Sequence, residues 1–335
     1  MKNYKLLFLM LTIMGTLISI SSYSWLGMWM GLEINMISII PLFSQNKNIY
    51  SSEAAIKYFL TQALASMFIL LSIIILSLDS LIINNLNQYI YLITNSALLT
   101  KMGAAPFHFW FPEVIEGLNW FNSLILLTWQ KIAPMVLIMY NSYLNWFFFM
   151  VIVFSMMVSS ILGFNQTSLR KILAFSSINH IGWMIGAILY SKLIWLIYFL
   201  IYFLISINIV FIFSKFKMFF ISQLIMIFNE STMLKIFFLM NFFSLGGIPP
   251  FLGFFSKWMV IYLLISNNNI LLTFIMILFT LLTFYFYLRL MISSLIINFN
   301  SPLKITYNFS NFYMMIFNWV ILLSLILFPI FLNLY

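Results

Sequence analysis

Glu33, Lys101, Lys131 and Lys257 each stand inside an almost wholly apolar stretch of this 335-residue chain. An ionised side chain near the middle of a membrane span costs about 3 kcal/mol or more, so a retained one marks a site with a task. One carboxylate and three amines, with no cofactor motif beside them, form the chemistry of a route for protons or small cations. His180 follows Ser176-Ser-Ile-Asn179 and adds a group that exchanges protons near neutral pH. It lies between Lys131 and Lys257 in chain order. That order suits a relay between them; a buried histidine satisfied by Ser or Asn reads equally well.

Each charge has a plainer reading beside it. Glu33 is about ten residues from either end of its stretch, or ~15 Å at helical rise, too deep for a short side chain to reach the interface. The alternative is a structural carboxylate bonded to a neighbouring helix. Lys101 is two residues before Gly103-Ala-Ala-Pro106-Phe107; the alternative is a lysine that snorkels. At ~5 Å and an effective dielectric of ~20, a Glu33–Lys101 pair attracts by about 3 kcal/mol. Lys131 has Pro134 three residues on, which predicts locally loosened backbone. Lys257 follows Gly247-Ile-Pro-Pro250-Phe251. For these two the alternative is structural pairing. His108 is expected to be structural, Arg289 a span-end anchor, and Glu113 with Glu116 interfacial, either solvated or touching a partner.

The elements that must position these groups are helices. The chain is 64% hydrophobic and 6% charged, against about 25% charged in soluble domains, and its mean hydropathy is +1.10. Continuous apolar runs argue against alternating barrel strands. At ~20 residues per crossing the length holds about eleven spans and no sizeable soluble domain. They are expected at 4–22, 25–43, 54–78, 88–110, 118–140, 145–163, 170–190, 193–213, 236–263, 269–295 and 313–334, with 214–235 an interfacial helix or loop. The first run imitates a signal peptide but is long for one, and reads as a retained span. The +9 formal charge falls mostly at span ends, where it is a topology signal and not a nucleic-acid footprint. Lys2, Lys5, Lys47, Lys57, Arg170, Lys171, Lys215, Lys217, Lys235 and Lys304 share the side of the N-terminus, and Lys192 alone is opposite. That places the N-terminus on the cytoplasm-equivalent side, the matrix in a mitochondrion. With no cysteine, disulfides, thiolate metal sites and iron–sulfur clusters bound by this chain are excluded. The weight of Phe, Met and Asn over Ala and Val follows AT-rich codons and hints at an organelle genome.

The G-x-x-P-F pattern at 103–107 recurs at 247–251. Each copy is in the fourth span of a five-span unit, so the expected fold is all-α and polytopic, with inverted repeats at 1–142 and 143–297 and a C-terminal loop and span at 298–335. Because five is odd, the second unit enters the membrane from the opposite side, and paired broken helices in inverted halves are a mark of ion-coupled transporters. Freed carbonyls at such breaks need protein or water, so the breaks should line wet cavities; an ordinary proline kink is the alternative. Three function classes follow: a pumping subunit of a larger machine, a free-standing cation/proton antiporter active alone in liposomes, and a non-pumping scaffold.

Several stretches narrow this choice: Trp25-Leu-Gly through Gly31-Leu-Glu33-Ile-Asn35, Lys101-Met-Gly-Ala-Ala-Pro-Phe-His108-Phe-Trp, Thr128-Trp-Gln-Lys131-Ile-Ala-Pro, Asn165-Gln-Thr-Ser-Leu-Arg170-Lys171, Ser176-Ser-Ile-Asn-His180-Ile-Gly-Trp and Leu245-Gly-Gly-Ile-Pro-Pro-Phe-Leu-Gly253. Together they resemble the subunit 2 family of mitochondrial NADH dehydrogenase, respiratory complex I, over most of the chain. The resemblance implies an antiporter-like, proton-pumping subunit of the mitochondrial inner membrane, in the shortened animal form that lacks three N-terminal helices. It implies a Glu/Lys pair at Glu33 and Lys101, a second lysine at Lys131 and a lysine on the later broken helix at Lys257. Implied partners are other membrane subunits of the complex, and phospholipid over the surface the missing helices leave. NADH, FMN, iron–sulfur clusters and ubiquinone are implied for the complex, with none bound by this chain.

Overall fold

A computed structural model describes residues 3–44, 48–77, 87–142, 144–228, 232–249 and 251–296. Among them the regular structure is helical, apart from one isolated antiparallel bridge between Ser168 and Phe220. The chain divides into two compact units, Met1–Ser155 and Met156–Tyr335.

The first unit opens with α1 (Asn3–Ser21), α2 (Trp25–Phe43) and α3 (Ile49–Ser77). Ser24 caps α2 by accepting the Gly27 N–H. Along α2, Met28, Leu32, Asn35, Met36 and Ile39 form the buried stripe expected at helical spacing, while Met30, Ile34 and Ile37 on the other side are exposed yet apolar. A helix apolar all round suits lipid on one face and protein on the other. The expected span 88–110 is split. α4 (Asn87–Met102) stops at the first break and α5 (Trp110–Gly117) resumes after it, ending beyond the expected boundary. The expected span 118–140 is also interrupted. α6 (Trp120–Leu127) gives way to a 3-10 turn (Trp129–Lys131), and α7 (Ile132–Tyr140) completes the crossing. Pro134 accounts for the turn, because its missing N–H cannot bond the carbonyl four residues back, at Gln130. α3 is the hub: α2, α4 and α5 pack against it. α8 (Asn145–Gly163) coincides with its expected span, and the unit boundary falls inside it.

The second unit continues with α9 (Leu169–Ile188), α10 (Lys192–Phe216), α11 (Ile221–Phe228), α12 (Thr232–Gly246), α13 (Leu252–Ser266) and α14 (Ile270–Ile296). α9 is buried from Ile172 to Ile188 without interruption. Helices α10, α13 and α14 surround it. Within 214–235 stand the end of α10, the separate short α11 and the first residues of α12, with 229–231 outside the described residues and Gln223 Oε1 accepting the Phe219 amide at 2.7 Å.

Among the described residues, seven helical stretches are long and apolar enough to cross a membrane: Tyr4–Ser21, Trp25–Phe43, Ile49–Ser77, Trp120–Tyr140, Asn145–Gly163, Lys192–Phe216 and Ile270–Ile292. The other expected crossings differ for physical reasons. Two are cut short by the breaks, and α9 carries Arg170, Lys171, Asn179 and His180. The last, 313–334, lies outside the described residues, as do Lys2, Lys47, Lys304 and Pro250.

Candidate functional site

Both breaks end their half-helix with the same turn. At the first, Gly103 adopts φ +74. Its N–H donates to Thr100 O at 3.1 Å, and the Ala104 N–H reaches back to Leu99 O at 3.1 Å. At the second, Gly247 adopts φ +78, its N–H donates to Ser244 O at 3.1 Å, and the Ile248 N–H reaches Phe243 O at 3.3 Å. This is the Schellman closure, in which a left-handed residue that favours glycine turns the chain and satisfies two orphan carbonyls.

Side chains meet the last-turn carbonyls differently at the two breaks. After α4, the Trp110 indole donates to Thr100 O at 3.0 Å and the Gln62 amide to Lys101 O at 3.4 Å. After α12, the Lys257 ammonium donates to Gly246 O at 2.7 Å and Leu245 O at 3.3 Å. Lys257 thus lies on α13, folded back onto the negative end of α12. It is 7% exposed, and its Nζ stands 6.0 Å from the Trp183 ring centre.

In the first unit Lys131 is 1% exposed, with Nζ 5.8 Å from the Phe111 ring centre, a cation–π distance. Phe111 also packs on the first break, where a Cβ at Gly103 would come within 2.9 Å of Phe111 Cβ. One ring therefore touches both the break and the lysine. Lys101, in the last turn of α4, lines a pocket with Leu32, Asn35, Met36, Tyr58, Gln62, Gln130 and Pro134. Glu33 is half-buried on α2, and its Oε1 is buried without a hydrogen-bond partner. Glu33 and Lys101 are not among the ion pairs of the described residues. Beside Lys101 runs a neutral chain: Gln130 Nε2 donates to Asn35 Oδ1 at 2.9 Å, and the Tyr58 hydroxyl lies 3.4 Å from Gln130 Oε1.

In the second unit His180 Nδ1 is 2.8 Å from the Tyr198 hydroxyl, and its ring is 4.9 Å from that of Tyr202. Trp183, one turn further along α9, shares that side of the helix and is the ring that Lys257 approaches. Asn179 Nδ2 bonds Thr283 Oγ1 at 2.9 Å, tying α9 to α14.

The structure brings Lys101 beside the α2 stretch that carries Glu33, and sets Lys131 against Phe111. It places His180 and Lys257 on the two helices that meet at Trp183. Three lesser groups acquire partners. His108 is buried at 3% exposure, with Nδ1 3.3 Å from Pro106 O. Glu113 has a partner inside the chain, Lys57 at 2.9 Å, which also pairs with Glu53 at 2.9 Å. Arg289 anchors the loop that follows α8: its two terminal nitrogens donate to Phe164 O and to Gln166 O, the latter at 2.6 Å. Asn35, Tyr58, Gln62 and Gln130 escape a reading that looks for formal charge. The signal for Asn35, Gln62 and Gln130 is an amide at an apolar position, with Gln130 directly before Lys131 and Asn35 two residues after Glu33.

A family model described as NADH:quinone oxidoreductase/Mrp antiporter, transmembrane, matches residues 22–283. The NADH-ubiquinone oxidoreductase chain 2 of Anopheles gambiae is 49% identical over 310 residues, covering 91% of this chain and 90% of that one. The protein of the same name from Aedes aegypti is 49% identical over 299 residues, covering 88% and 86%. Among solved structures, a chain of respiratory complex I from Thermus thermophilus superposes with a TM-score of 0.86 at 22% identity, covering 97% of this chain and 78% of that one; at that identity the likeness speaks for the fold.

Proposed function

The chain belongs to the NADH:quinone oxidoreductase/Mrp antiporter transmembrane family, and we propose that it moves protons along Glu33, Lys101, Lys131, His180 and Lys257. It is a proton-translocating membrane subunit of NADH:ubiquinone oxidoreductase, an integral multi-pass protein working among the other subunits of that complex. Redox chemistry in those subunits supplies the energy. NADH, FMN, iron–sulfur clusters and ubiquinone act there, and this chain holds no redox site. The proposal includes the inner-membrane location with the N-terminus on the matrix side, eleven spans, and two inverted five-span repeats at 1–142 and 143–297. Phospholipid covers part of its surface.

One observation carries the assignment of residues: each break closes with the same turn, and each has a buried lysine at its carbonyl end. A lysine amine in a low-dielectric site changes charge readily, unlike a guanidinium, and the carbonyls and amides beside it stabilise the charged form when it arises. Lys101 and Lys131 take up protons in the first unit. Glu33 tunes Lys101 through space, and being half-buried it also couples to a neighbouring subunit. His180, with the Tyr198 hydroxyl against its ring, passes charge toward Lys257, where the exit half of the path begins.

The test is Lys131→Met in the assembled complex. The expected result is normal assembly with fewer protons moved per electron pair, measured by proton uptake in vesicles during NADH oxidation. Wild-type stoichiometry in an assembled complex would defeat the assignment. A chain that exchanged cations for protons alone in liposomes would favour the free antiporter.

A further inference from the structure

The pocket beside Lys101 is of water size, and its polar lining is under-used. The Tyr58 hydroxyl approaches Gln130 Oε1 at 3.4 Å, and Gln62 Nε2 approaches Lys101 O at 3.4 Å. Ordinary O–H···O and N–H···O bonds are ~2.7–2.8 and ~2.9–3.0 Å. Two donors therefore border one small space, each held only loosely by protein. Gln130 differs: its NH2 group is fixed by Asn35 Oδ1 at 2.9 Å, so its carbonyl oxygen must turn the other way, toward Tyr58. A water needs about two to four polar partners and a volume of its own size. Lys101, Tyr58, Gln62 and Gln130 supply the partners.

We propose that this pocket is a water site, and that Gln130 is the positioning residue that holds the water between Lys101 and the turn carrying Lys131. The inference rests on the proton-path reading and adds to it a link that bears no charge. Gln130 is suited by place: it immediately precedes Lys131 in the 3-10 turn, and through Asn35 it is tied to α2, two residues from Glu33. The transfer balances. A proton leaves the Lys101 ammonium as it bonds to the water oxygen, and one of the water's own protons departs toward the neutral Lys131 amine. The water is regenerated, Lys101 ends neutral, and one positive charge has moved. Gln130 neither gains nor loses a proton; it orients the oxygen that receives one. The same Asn35–Gln130 bond makes water position depend on how α2 sits, so a shift of the Glu33 helix would reach the Lys101–Lys131 link mechanically as well as electrostatically.

The experiment compares wild type, Gln130→Leu, Gln130→Glu, Tyr58→Phe and Lys131→Met, each in the assembled complex. It reads water density in the pocket by high-resolution electron cryomicroscopy, proton uptake in vesicles, and the solvent deuterium isotope effect on that uptake. Wild type should show a water within hydrogen-bond distance of Gln130 Oε1, lost in Gln130→Leu. That variant should pump about fivefold more slowly, the weight of one neutral hydrogen bond, with a raised isotope effect. Gln130→Glu, whose protonated form offers the same donor and acceptor, should recover most of the rate. Tyr58→Phe keeps the ring contacts with Phe43 and Trp110 and should shift the isotope effect in the same direction by less; it decides the matter if Gln130→Leu fails to assemble. An empty wild-type pocket overturns the inference. So does wild-type uptake with an unchanged isotope effect in Tyr58→Phe or an assembled Gln130→Leu. Lys131→Met separates the two readings: if it abolishes uptake while the Gln130 and Tyr58 variants behave as wild type, the path stands and the water link falls. If Lys131→Met pumps normally the path falls, and the density alone decides the water site.

Discussion

At the first break, Trp110 and Gln62 bring neutral N–H groups to the carbonyls of Thr100 and Lys101; at the second, the Lys257 ammonium itself takes the carbonyls of Leu245 and Gly246. The backbone turns are alike to within a few degrees at their glycines. The side chains on that common frame are exchanged. Two residues before the glycine stands Lys101 in one break and Leu245 in the other; ten residues after it stands Glu113 in one and Lys257 in the other. The first break therefore leaves its lysine beside a water-sized pocket, and the second holds its lysine on fixed dipoles. Lys257 must release two carbonyl oxygens before its amine can swing away. For Lys101 no such bond is seen among the described residues. Like turns are thus met by unlike hydrogen-bond donors.

Lys257→Met should produce the largest effect. It removes the donor from two buried carbonyls, and with charged hydrogen bonds at ~1.5–3 kcal/mol each, a loss of about 3 kcal/mol is expected at the second break. A lowered melting temperature of the complex, together with lost proton uptake, would bear this out. Unchanged melting would mean that Lys257 is no structural donor, and the contrast between breaks would vanish.

The paired substitutions Gly247→Ala and Gly103→Ala rank next. Each places a Cβ in the left-handed region, costing about 1–2 kcal/mol. Their neighbours then diverge. At Gly247 the new carbon falls 2.8 Å from Lys257 Cδ and 3.0 Å from its Nζ, so the lysine itself must move. At Gly103 it meets Phe111, and Lys131 feels the change only through that ring. Uptake should therefore fall further in Gly247→Ala than in Gly103→Ala at matched assembly. The reverse order would show that Phe111 matters more than direct contact with a lysine.

Trp110→Phe should do least. The ring packing on Tyr58 and Phe111 survives, one neutral bond to Thr100 O is lost, and about 1 kcal/mol is expected. Uptake within twofold of wild type would confirm that the first break depends on neutral, replaceable donors.

Much of this frame was legible beforehand. The span at 145–163 coincides with α8, because an uninterrupted apolar run between polar turns leaves little choice. The glycines of both G-x-x-P-F motifs mark real helix ends, since a left-handed turn needs that residue. Direction was not legible. Nothing in the ten-residue spacing from Gly247 to Lys257 says that α13 folds its lysine back onto the preceding helix. The 3-10 turn at Lys131 was signalled by Pro134 only as loosening, because proline weakens a helix without dictating what replaces it. The amides of Gln62 and Gln130 were passed over because a search for costly charges ignores neutral groups, whose burial is cheap once they bond to one another. The pairing of Glu113 with Lys57 bridges 56 residues of chain, a relation no local pattern encodes, although its exposed setting agrees with the expected solvated carboxylate.

The two arginines give the arrangement a further meaning. Arg170 lies 4.7 Å from the Phe219 ring centre, and Arg289 grips the loop carbonyls of Phe164 and Gln166. A guanidinium keeps its proton under all physiological conditions. The permanently charged side chains have thus been assigned to masonry, fastening a loop and a ring where an alternating charge would shake them loose. On the proposed path, conductance is left to groups able to let go of what they carry. A frame mortared this way should keep its shape through every change of occupancy along the path, so that the cycle is timed by local rearrangements at the lysines and not by a refolding of the walls around them.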